Sequence, residues 1–277
     1  MTPVIVRNTV FGEGKPKICI PIVGKTREEI CRAAEEITSL PADLIEWRAD
    51  WLPAFSGEHT AERESAEKEF AEKESAEEEI TEGLVRLRRI FGEAMPILFT
   101  IRTKNEGGQA ELSLSDYCRL NLLAVQGGAD FIDVELSAGQ SAADELIRAA
   151  HSQGKKVILS SHDFSGTPGE EEMLDRLRRM QELNGDISKL AVMPRSAVDV
   201  IRLLSVTARM KEAYADRPFI TMSMGAQGLV SRLAGESFGS CVTFGCAGTA
   251  SAPGQMEAET LSRILEAIHQ STAEGRE

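Results

Sequence analysis

Lys189 stands in the middle of a short apolar stretch, residues 187–193. Such a stretch is typical of a strand buried on both faces. A lysine is rarely buried, because removing its ammonium from water costs several kcal/mol unless the charge is paired or lost. Desolvation favours the neutral amine, which is a nucleophile toward carbonyl carbons. Lys189 is therefore either a Schiff-base lysine or a strand-end lysine whose ammonium reaches out to water.

Other charged and polar side chains stand at or just after the ends of further apolar stretches. They are Glu46, Arg48, Arg102, Glu106, His162, Arg232, Ser251 and Gln255. Taken singly, each has an ordinary structural explanation: Glu46 and Arg48 could form a rim salt bridge, and His162 could be a hydrogen-bonded core histidine. Taken together, they supply a proton-transfer group, carboxylates and arginines suited to an anionic substrate. Packing alone does not explain such a set.

The elements that would position these residues alternate between strands and helices. Strands are predicted at 17–23, 43–47, 96–101, 130–136, 156–161, 187–193, 218–222 and 241–245, and helices near 26–38, 115–127, 141–152, 169–183, 196–213, 227–236 and 257–270. Apolar strands with helical crossovers indicate a parallel α/β sheet, and eight units favour a (β/α)8 (TIM) barrel, whose active site lies at the carboxyl ends of the strands. An open doubly wound sheet is the weaker alternative, because no glycine-rich phosphate turn follows the first strand.

Two segments lie outside this alternation. Residues 4–14 predict a β-hairpin that turns at Arg7 and Asn8. Residues 62–81 form an acidic five-residue repeat of helix-favouring residues, with nine glutamates and three basic residues between 62 and 79. Five residues turn a helix through about 500°, so the repeat has no single apolar face. We expect a solvated helical insertion after the second barrel strand, outside the site, with an acidic interaction arm as the alternative. The whole chain, 1–277, is expected to be one catalytic domain.

Composition argues against several functions. The formal net charge of −13 disfavours a nucleic-acid partner or an anionic membrane surface. Apolar runs are too short to span a membrane, and the N-terminal residues lack a signal-peptide pattern. The five cysteines are scattered and the four histidines have no metal-ligand spacing, so we expect no metal site. These features predict a cytoplasmic protein.

Seven motifs in matching order, between about residues 4 and 270, resemble the type I 3-dehydroquinate dehydratases. They are Glu46-Trp47-Arg48, Thr100-Ile101-Arg102 with Glu106-Gly107-Gly108, Ser161-His162-Asp163-Phe164, Lys189-Leu190-Ala191-Val192-Met193-Pro194, Ile220-Thr221-Met222-Ser223-Met224, Ser231-Arg232-Leu233-Ala234-Gly235-Glu236 and Ser251-Ala252-Pro253-Gly254-Gln255. The resemblance implies a homodimeric (β/α)8 barrel without metal or cofactor. It implies a hydro-lyase that converts 3-dehydroquinate to 3-dehydroshikimate and water through a lysine imine, in the shikimate pathway of aromatic amino-acid biosynthesis.

The resemblance also implies a role for each matching residue. Lys189 corresponds to the Schiff-base lysine, His162 to the general acid/base, and Glu106 to the carboxylate that orients this histidine. Arg232 corresponds to the ligand of the substrate carboxylate. The remaining substrate-binding positions are Glu46, Arg48 and Arg102, together with Ser251 and Gln255 of a loop that closes over the substrate.

Two departures from the family pattern and two other functions remain open. The acidic repeat is absent from the pattern, and Pro21 occupies a position where some relatives place a serine hydroxyl at the site. A class I aldolase-type barrel would also use a lysine on the sixth strand. A non-catalytic protein could use the acidic segment to bind a basic partner.

Overall fold

The computed structural model describes residues 1–55, 66–248 and 251–274. Within these residues an antiparallel hairpin, β1 (Val4–Val6) and β2 (Thr9–Phe11), precedes eight parallel strands. These are β3 (Lys17–Ile22), β4 (Leu44–Arg48), β5 (Ile97–Thr100), β6 (Phe131–Glu135), β7 (Lys156–Asp163), β8 (Ile187–Val192), β9 (Phe219–Ser223) and β10 (Val242–Cys246). A two-residue strand, β11 (Met256–Glu257), pairs with β10. Strand order follows chain order from β3 to β10, which confirms the predicted (β/α)8 barrel and the hairpin.

The barrel closes between β9 and β10 through a short contact. The backbone N–H of Cys241 donates to the carbonyl of Phe219 at 2.9 Å, and Ser240 forms an isolated parallel bridge with Phe219. The Ser240 hydroxyl oxygen accepts the backbone N–H of Thr221 at 3.1 Å, so a side chain takes the place of one ladder partner. Because β10 also pairs with β3, the described strands form a complete ring.

Side chains of the barrel strands point alternately to the interior and to the helices. The interior layer contains Cys19, Leu44, Leu98, Phe131, Ile158, Ile187 and Ile220, whereas Trp47, Phe99 and Ile132 belong to the layer beneath the helices. Burial on both faces explains why the strands read as continuous apolar runs. The hairpin covers the N-terminal end of the barrel, where the ring of Phe11 meets that of Phe131 edge-on at 5.4 Å.

Helices surround the strands. They are α1 (Arg27–Ile37), α2 (Ala66–Phe91), α3 (Leu114–Gln126), α4 (Gln140–Ser152), α5 (Glu170–Glu182), α6 (Ala197–Arg209), α7 (Leu229–Leu233), α8 (Gly235–Phe238) and α9 (Ala258–Glu274). The helix predicted near 227–236 is wrong in detail, because a 3-10 turn over Ala226–Gly228 and two short helices replace it. A Cβ on Gly228 would lie 2.0 Å from the carbonyl oxygen of Ser223, so this turn approaches the strand more closely than a longer side chain permits.

The acidic repeat is helical where it is described, but its C-terminal end is not a solvated extension. Residues 62–65 lie outside the described residues, and α2 begins at Ala66. Ala76 and Ile80 are buried in the outer core, followed on the same face by Leu84 and Leu87. The five-residue period gives way there to the i, i+4 spacing of an amphipathic helix. The expectation of a wholly solvated segment is therefore wrong from Ala76 onward.

No helix among the described residues is long and apolar enough to cross a membrane.

Candidate active site

A cavity opens at the carboxyl ends of the barrel strands, and it contains every site residue predicted from the sequence. The polar lining comprises Glu46, Arg48, Arg102, Glu106, His162, Lys189, Arg232, Ser251 and Gln255. The apolar lining comprises Phe164, Ala191, Met222, Met224, Phe244 and Ala252, with Gly107 beside them. Six barrel strands or the loops that follow them contribute to this set, although these residues lie far apart in sequence.

Lys189 lies inside the barrel with its side chain 4% exposed, so it does not reach out to solvent. Its Nζ is 3.4 Å from Oδ2 of Asp133 and 3.6 Å from Oε1 of Glu46. It also lies 4.6 Å from the centre of the Phe244 ring, which adds a cation–π contact. Two carboxylates and an aromatic face thus replace the water that the buried ammonium has lost.

Asp133 links Lys189 to Arg102. The Oδ1 atom of Asp133 is 2.8 Å from Nη2 of Arg102 and accepts the Ser160 hydroxyl at 2.5 Å. Arg102 Nη1 donates to Glu135 Oε1 at 2.9 Å. These cations and the Ser160 hydroxyl hold the pKa of Asp133 below its usual value against the opposing effect of burial. Asp133 is therefore an anion in the floor of the site.

His162 is fixed by Glu106 through two hydrogen bonds to the same oxygen. Oε2 of Glu106 accepts the backbone N–H of His162 at 3.0 Å and lies 2.9 Å from its Nδ1. A carboxylate oxygen in this position accepts, so Nδ1 carries the proton and Nε2 keeps its lone pair. This arrangement leaves Nε2 as the proton-accepting atom of the ring.

Burial shifts the pKa values of both members of this pair. It lowers the pKa of His162 well below its usual value, and the nearby cations Arg102, Lys189 and Arg48 lower it further. Burial also raises the pKa of Glu106 to about 7, against the opposing effect of Arg102. His162 is consequently a neutral imidazole near neutral pH, and Glu106 gains its charge over the same range.

Three arginines line the cavity among the described residues, but they differ in their partners. Arg48 binds Asp50 with both Nε and Nη2, at 2.7 and 2.8 Å, and Arg102 is paired as described above. Arg232 has no carboxylate within ion-pair distance among the described residues, and its Nε is buried without a hydrogen-bond partner. Burial lowers the pKa of Arg232 to about 10. An anionic ligand would supply the missing partner for this guanidinium.

In the loop after β10, Ser251, Ala252 and Gln255 line the cavity and Pro253 contacts Arg232. The carbonyl of Pro253 accepts Nη2 of Arg232 at 3.0 Å and the backbone N–H of Gly225 at 3.1 Å. Gly254 approaches Gly225 so closely that a Cβ would lie 2.3 Å from its carbonyl oxygen. Gln255 Nε2 donates to Oγ of Ser251 at 3.0 Å. Both polar side chains of the loop therefore bind each other beside the cavity.

The architecture of this site and its sequence match one family of proteins. The model of the type I 3-dehydroquinase family matches residues 18–272. The chain belongs to this family. The 3-dehydroquinate dehydratase of Syntrophotalea carbinolica is 48% identical to it over 273 residues, which is 98% of this chain and 100% of that protein.

Solved structures of other 3-dehydroquinases have the same fold. The type I 3-dehydroquinate dehydratase of Clostridium difficile, determined with covalently modified comenic acid, has a TM-score of 0.87 at 42% identity and covers 98% of this chain and 99% of its own. The 3-dehydroquinate dehydratase of Geobacillus kaustophilus has a TM-score of 0.86 at 35% identity and covers 97% of both chains.

Sequence reasoning on this 3-dehydroquinase missed residues that act through the predicted ones. Asp133 was visible as an acidic residue within a buried strand, a sign that a cation faces it, but its partner could not be read from the sequence. Ser137 gave no comparable signal, and Phe164, Met222 and Met224 were noted only as members of the quoted motifs, with no role assigned to them. Pro21 is buried in register with Glu46 and does not contribute to the cavity lining among the described residues.

Proposed function

We propose that this chain catalyses the dehydration of 3-dehydroquinate to 3-dehydroshikimate and water, in the shikimate pathway. One observation carries the proposal: a single cavity holds a buried lysine, a neutral histidine oriented by a carboxylate, and a buried arginine that has no acidic partner within the described part of the chain. These groups provide a nucleophile, a base and a carboxylate receptor.

In the first stage the ammonium of Lys189 loses a proton and its neutral Nζ attacks the C3 ketone of the substrate. The C3 oxygen takes up two protons, the one lost by the ammonium and one from the nitrogen of the adduct, and leaves as water. The product of this stage is a protonated imine whose positive charge lies close to the former ammonium. Asp133 and Glu46, at 3.4 and 3.6 Å from Nζ, stabilise that charge in both states. The iminium withdraws electrons from C2 and makes its hydrogen acidic.

In the second stage Nε2 of His162 removes a proton from C2. The electron pair of the broken C–H bond moves into the imine as an enamine, and its return expels the C1 hydroxyl. The imidazolium of His162 protonates that leaving group, so a second water departs and the histidine is neutral again. Glu106 stabilises the transient imidazolium, because its Oε2 already accepts from Nδ1. Hydrolysis of the imine then consumes one water and frees Lys189.

The substrate is positioned through its carboxylate and hydroxyl groups. Arg232 offers the carboxylate its Nε, which has no hydrogen-bond partner among the described residues, and the loop carrying Ser251 and Gln255 covers the bound carboxylate. We assign Glu46, Arg48 and Arg102 to the hydroxyl groups, since these side chains line the remaining wall. The closed loop keeps bulk water away from the imine until the C1 hydroxyl has left.

We further propose a single catalytic domain that works in the cytoplasm as a homodimer. The proposal of a homodimer is supported by three exposed apolar side chains on the neighbouring helices α6 and α7. Val198, Ile201 and Val230 are each at least 50% exposed. Exposed apolar clusters of this kind are typical of protein interfaces. Light scattering that gives the mass of one chain would reject the homodimer.

The activity is tested by mixing the purified protein with 3-dehydroquinate and following ultraviolet absorbance. Dehydration places the new C1–C2 double bond in conjugation with both the ketone and the carboxylate, so absorbance rises as product forms. Lys189→Met is the control, because it keeps the size of the side chain and removes the amine. A wild-type protein that produces no conjugated product would reject the proposal.

A further inference from the structure

Glu106 is held at both of its carboxylate oxygens. Oε2 accepts from His162, as described above, whereas Oε1 accepts the hydroxyl of Ser137 at 2.6 Å. Ser137 lies in the 3-10 turn Leu136–Ala138 directly after β6, so it reaches Glu106 from the neighbouring strand. Among the described residues, it is the side chain that hydrogen-bonds Oε1.

We propose that Ser137 is a positioning residue that favours the charged form of Glu106 and thereby sets the pH range in which His162 acts as a base. This inference rests on the function proposed above. Ser137 does not line the cavity among the described residues, so it would act through Glu106 and not on the substrate.

The charges that face Glu106 leave its ionisation finely balanced. From its own loop, Nη1 of Arg102 lies 3.7 Å from Oε2 and favours the anion. From β6, Glu135 and Asp133 disfavour a further negative charge, and from β7 the neutral ring of His162 donates a hydrogen bond. Burial has the largest effect and raises the pKa to about 7, while the hydrogen bond from Ser137 lowers it. The hydrogen bond from Ser137 therefore changes the fraction of Glu106 that is charged near neutral pH.

Ser137 is also suited to a change that leaves the fold intact. Ser137 is exposed and lies on a turn. Ser137→Ala therefore removes a single oxygen atom without opening a buried cavity. Ser137→Thr keeps a hydroxyl at the same position. Ser165 offers a matched control, because it is exposed too and its hydroxyl donates to a carboxylate of the same rim, Oδ1 of Asp163, at 2.6 Å.

The test is kcat/KM measured from pH 5.5 to 9 for the wild type, Ser137→Ala, Ser137→Thr and Ser165→Ala. Loss of the donor raises the pH at which Glu106 ionises. For Ser137→Ala we expect the ascending limb to move up by about half a pH unit, so that kcat/KM is about 1.7-fold lower at pH 7 and unchanged at pH 9. We expect Ser137→Thr to restore the limb and Ser165→Ala to leave it in place.

Two results would overturn the role of Ser137. If kcat/KM of Ser137→Ala fell by the same factor at all pH values, the effect of Ser137 would be structural. If the ascending limb of its pH profile stayed where it is in the wild type, Ser137 would not be coupled to the ionisation of Glu106.

A second measurement does not depend on turnover. The ring-proton NMR signals of His162 in the free protein respond to the charge of Glu106, and we expect this transition at higher pH in Ser137→Ala. A wild type without dehydratase activity would reject the proposed function, whereas an unchanged His162 transition would reject the role of Ser137 alone.

Discussion

Glu106→Gln tests whether the charge of Glu106 assists proton transfer by His162. Glutamine keeps the shape of the side chain, and its carbonyl oxygen can still accept the two hydrogen bonds that Oε2 accepts at 2.9 and 3.0 Å. What is lost is the negative charge beside the imidazolium. The difference between a charge-assisted and a neutral hydrogen bond is about 1.4 kcal/mol, or roughly tenfold in rate.

The size of this effect depends on pH, because the pKa of Glu106 is about 7. At pH 8 most of the wild-type carboxyl is charged, whereas at pH 6 most of it is protonated and resembles glutamine. We therefore expect kcat of Glu106→Gln to be about ninefold below the wild type at pH 8 and only about twofold below it at pH 6. Glu78→Gln, an exposed change on α2, is the control and is expected to show no loss.

The assay is steady-state kcat at both pH values, combined with reductive trapping of the imine. Trapping should be unimpaired, since Glu106 does not contact Lys189. If the ratio of wild-type kcat to Glu106→Gln kcat were the same at pH 6 and pH 8, the reasoning would be refuted, because the contribution of Glu106 would then be independent of its charge.

The same substitution has the opposite effect on folding stability. The pKa of Glu106 in the folded protein is above its unfolded value, so its stabilising contribution is complete below about pH 4.5 and is lost as pH rises through about 7. Glutamine avoids the cost of burying the anion. We expect the free energy of unfolding of Glu106→Gln to improve relative to the wild type between pH 5 and pH 8, by on the order of 1–3 kcal/mol. Urea titrations at pH 5 and pH 8 measure the two free energies of unfolding. A difference between Glu106→Gln and the wild type that is the same at both pH values would contradict this expectation.

Three further substitutions probe other parts of the structure. Lys189→Met leaves Asp133 and Glu46 without their shared cation and should lower the free energy of unfolding by about 3 kcal/mol in urea titrations, whereas no loss would argue against the ion pairs. Arg232→Met should raise KM at least tenfold with a smaller change in kcat, since it removes the carboxylate receptor; an unchanged KM would reject that role. Ile80→Ala should destabilise the protein by about 2–4 kcal/mol and Glu78→Ala by less than about 0.5 kcal/mol, and equal effects would contradict the burial of Ile80.

The sequence predicted the barrel well because the signal is repeated eight times. Each strand is buried on both faces, so its apolar run is unbroken, and amphipathic helices separate the runs. The site residues were also accessible, because in a barrel the carboxyl ends of the strands meet on one rim. A lysine in the middle of such a run, or a glutamate near its end, stands out against the apolar residues around it.

What the sequence did not predict depends on contacts between strands. The pairing of Lys189 on β8 with Asp133 on β6 passes over β7, and the register that brings the two side chains to 3.4 Å is a property of the folded sheet. The hydrogen bond from Ser137 to Glu106 joins two turns and leaves no pattern in either. The burial of Ile80 was missed because the five-residue repeat conceals the point at which helical spacing begins.

Reductive trapping tests the central claim most directly. The protein is incubated with 3-dehydroquinate, reduced with borohydride, digested, and its peptides are mapped by mass spectrometry. The proposed mechanism predicts one stable adduct on the ε-amine of Lys189 that is absent from Lys189→Met. Turnover without an adduct at Lys189, or an adduct on another lysine, would contradict it.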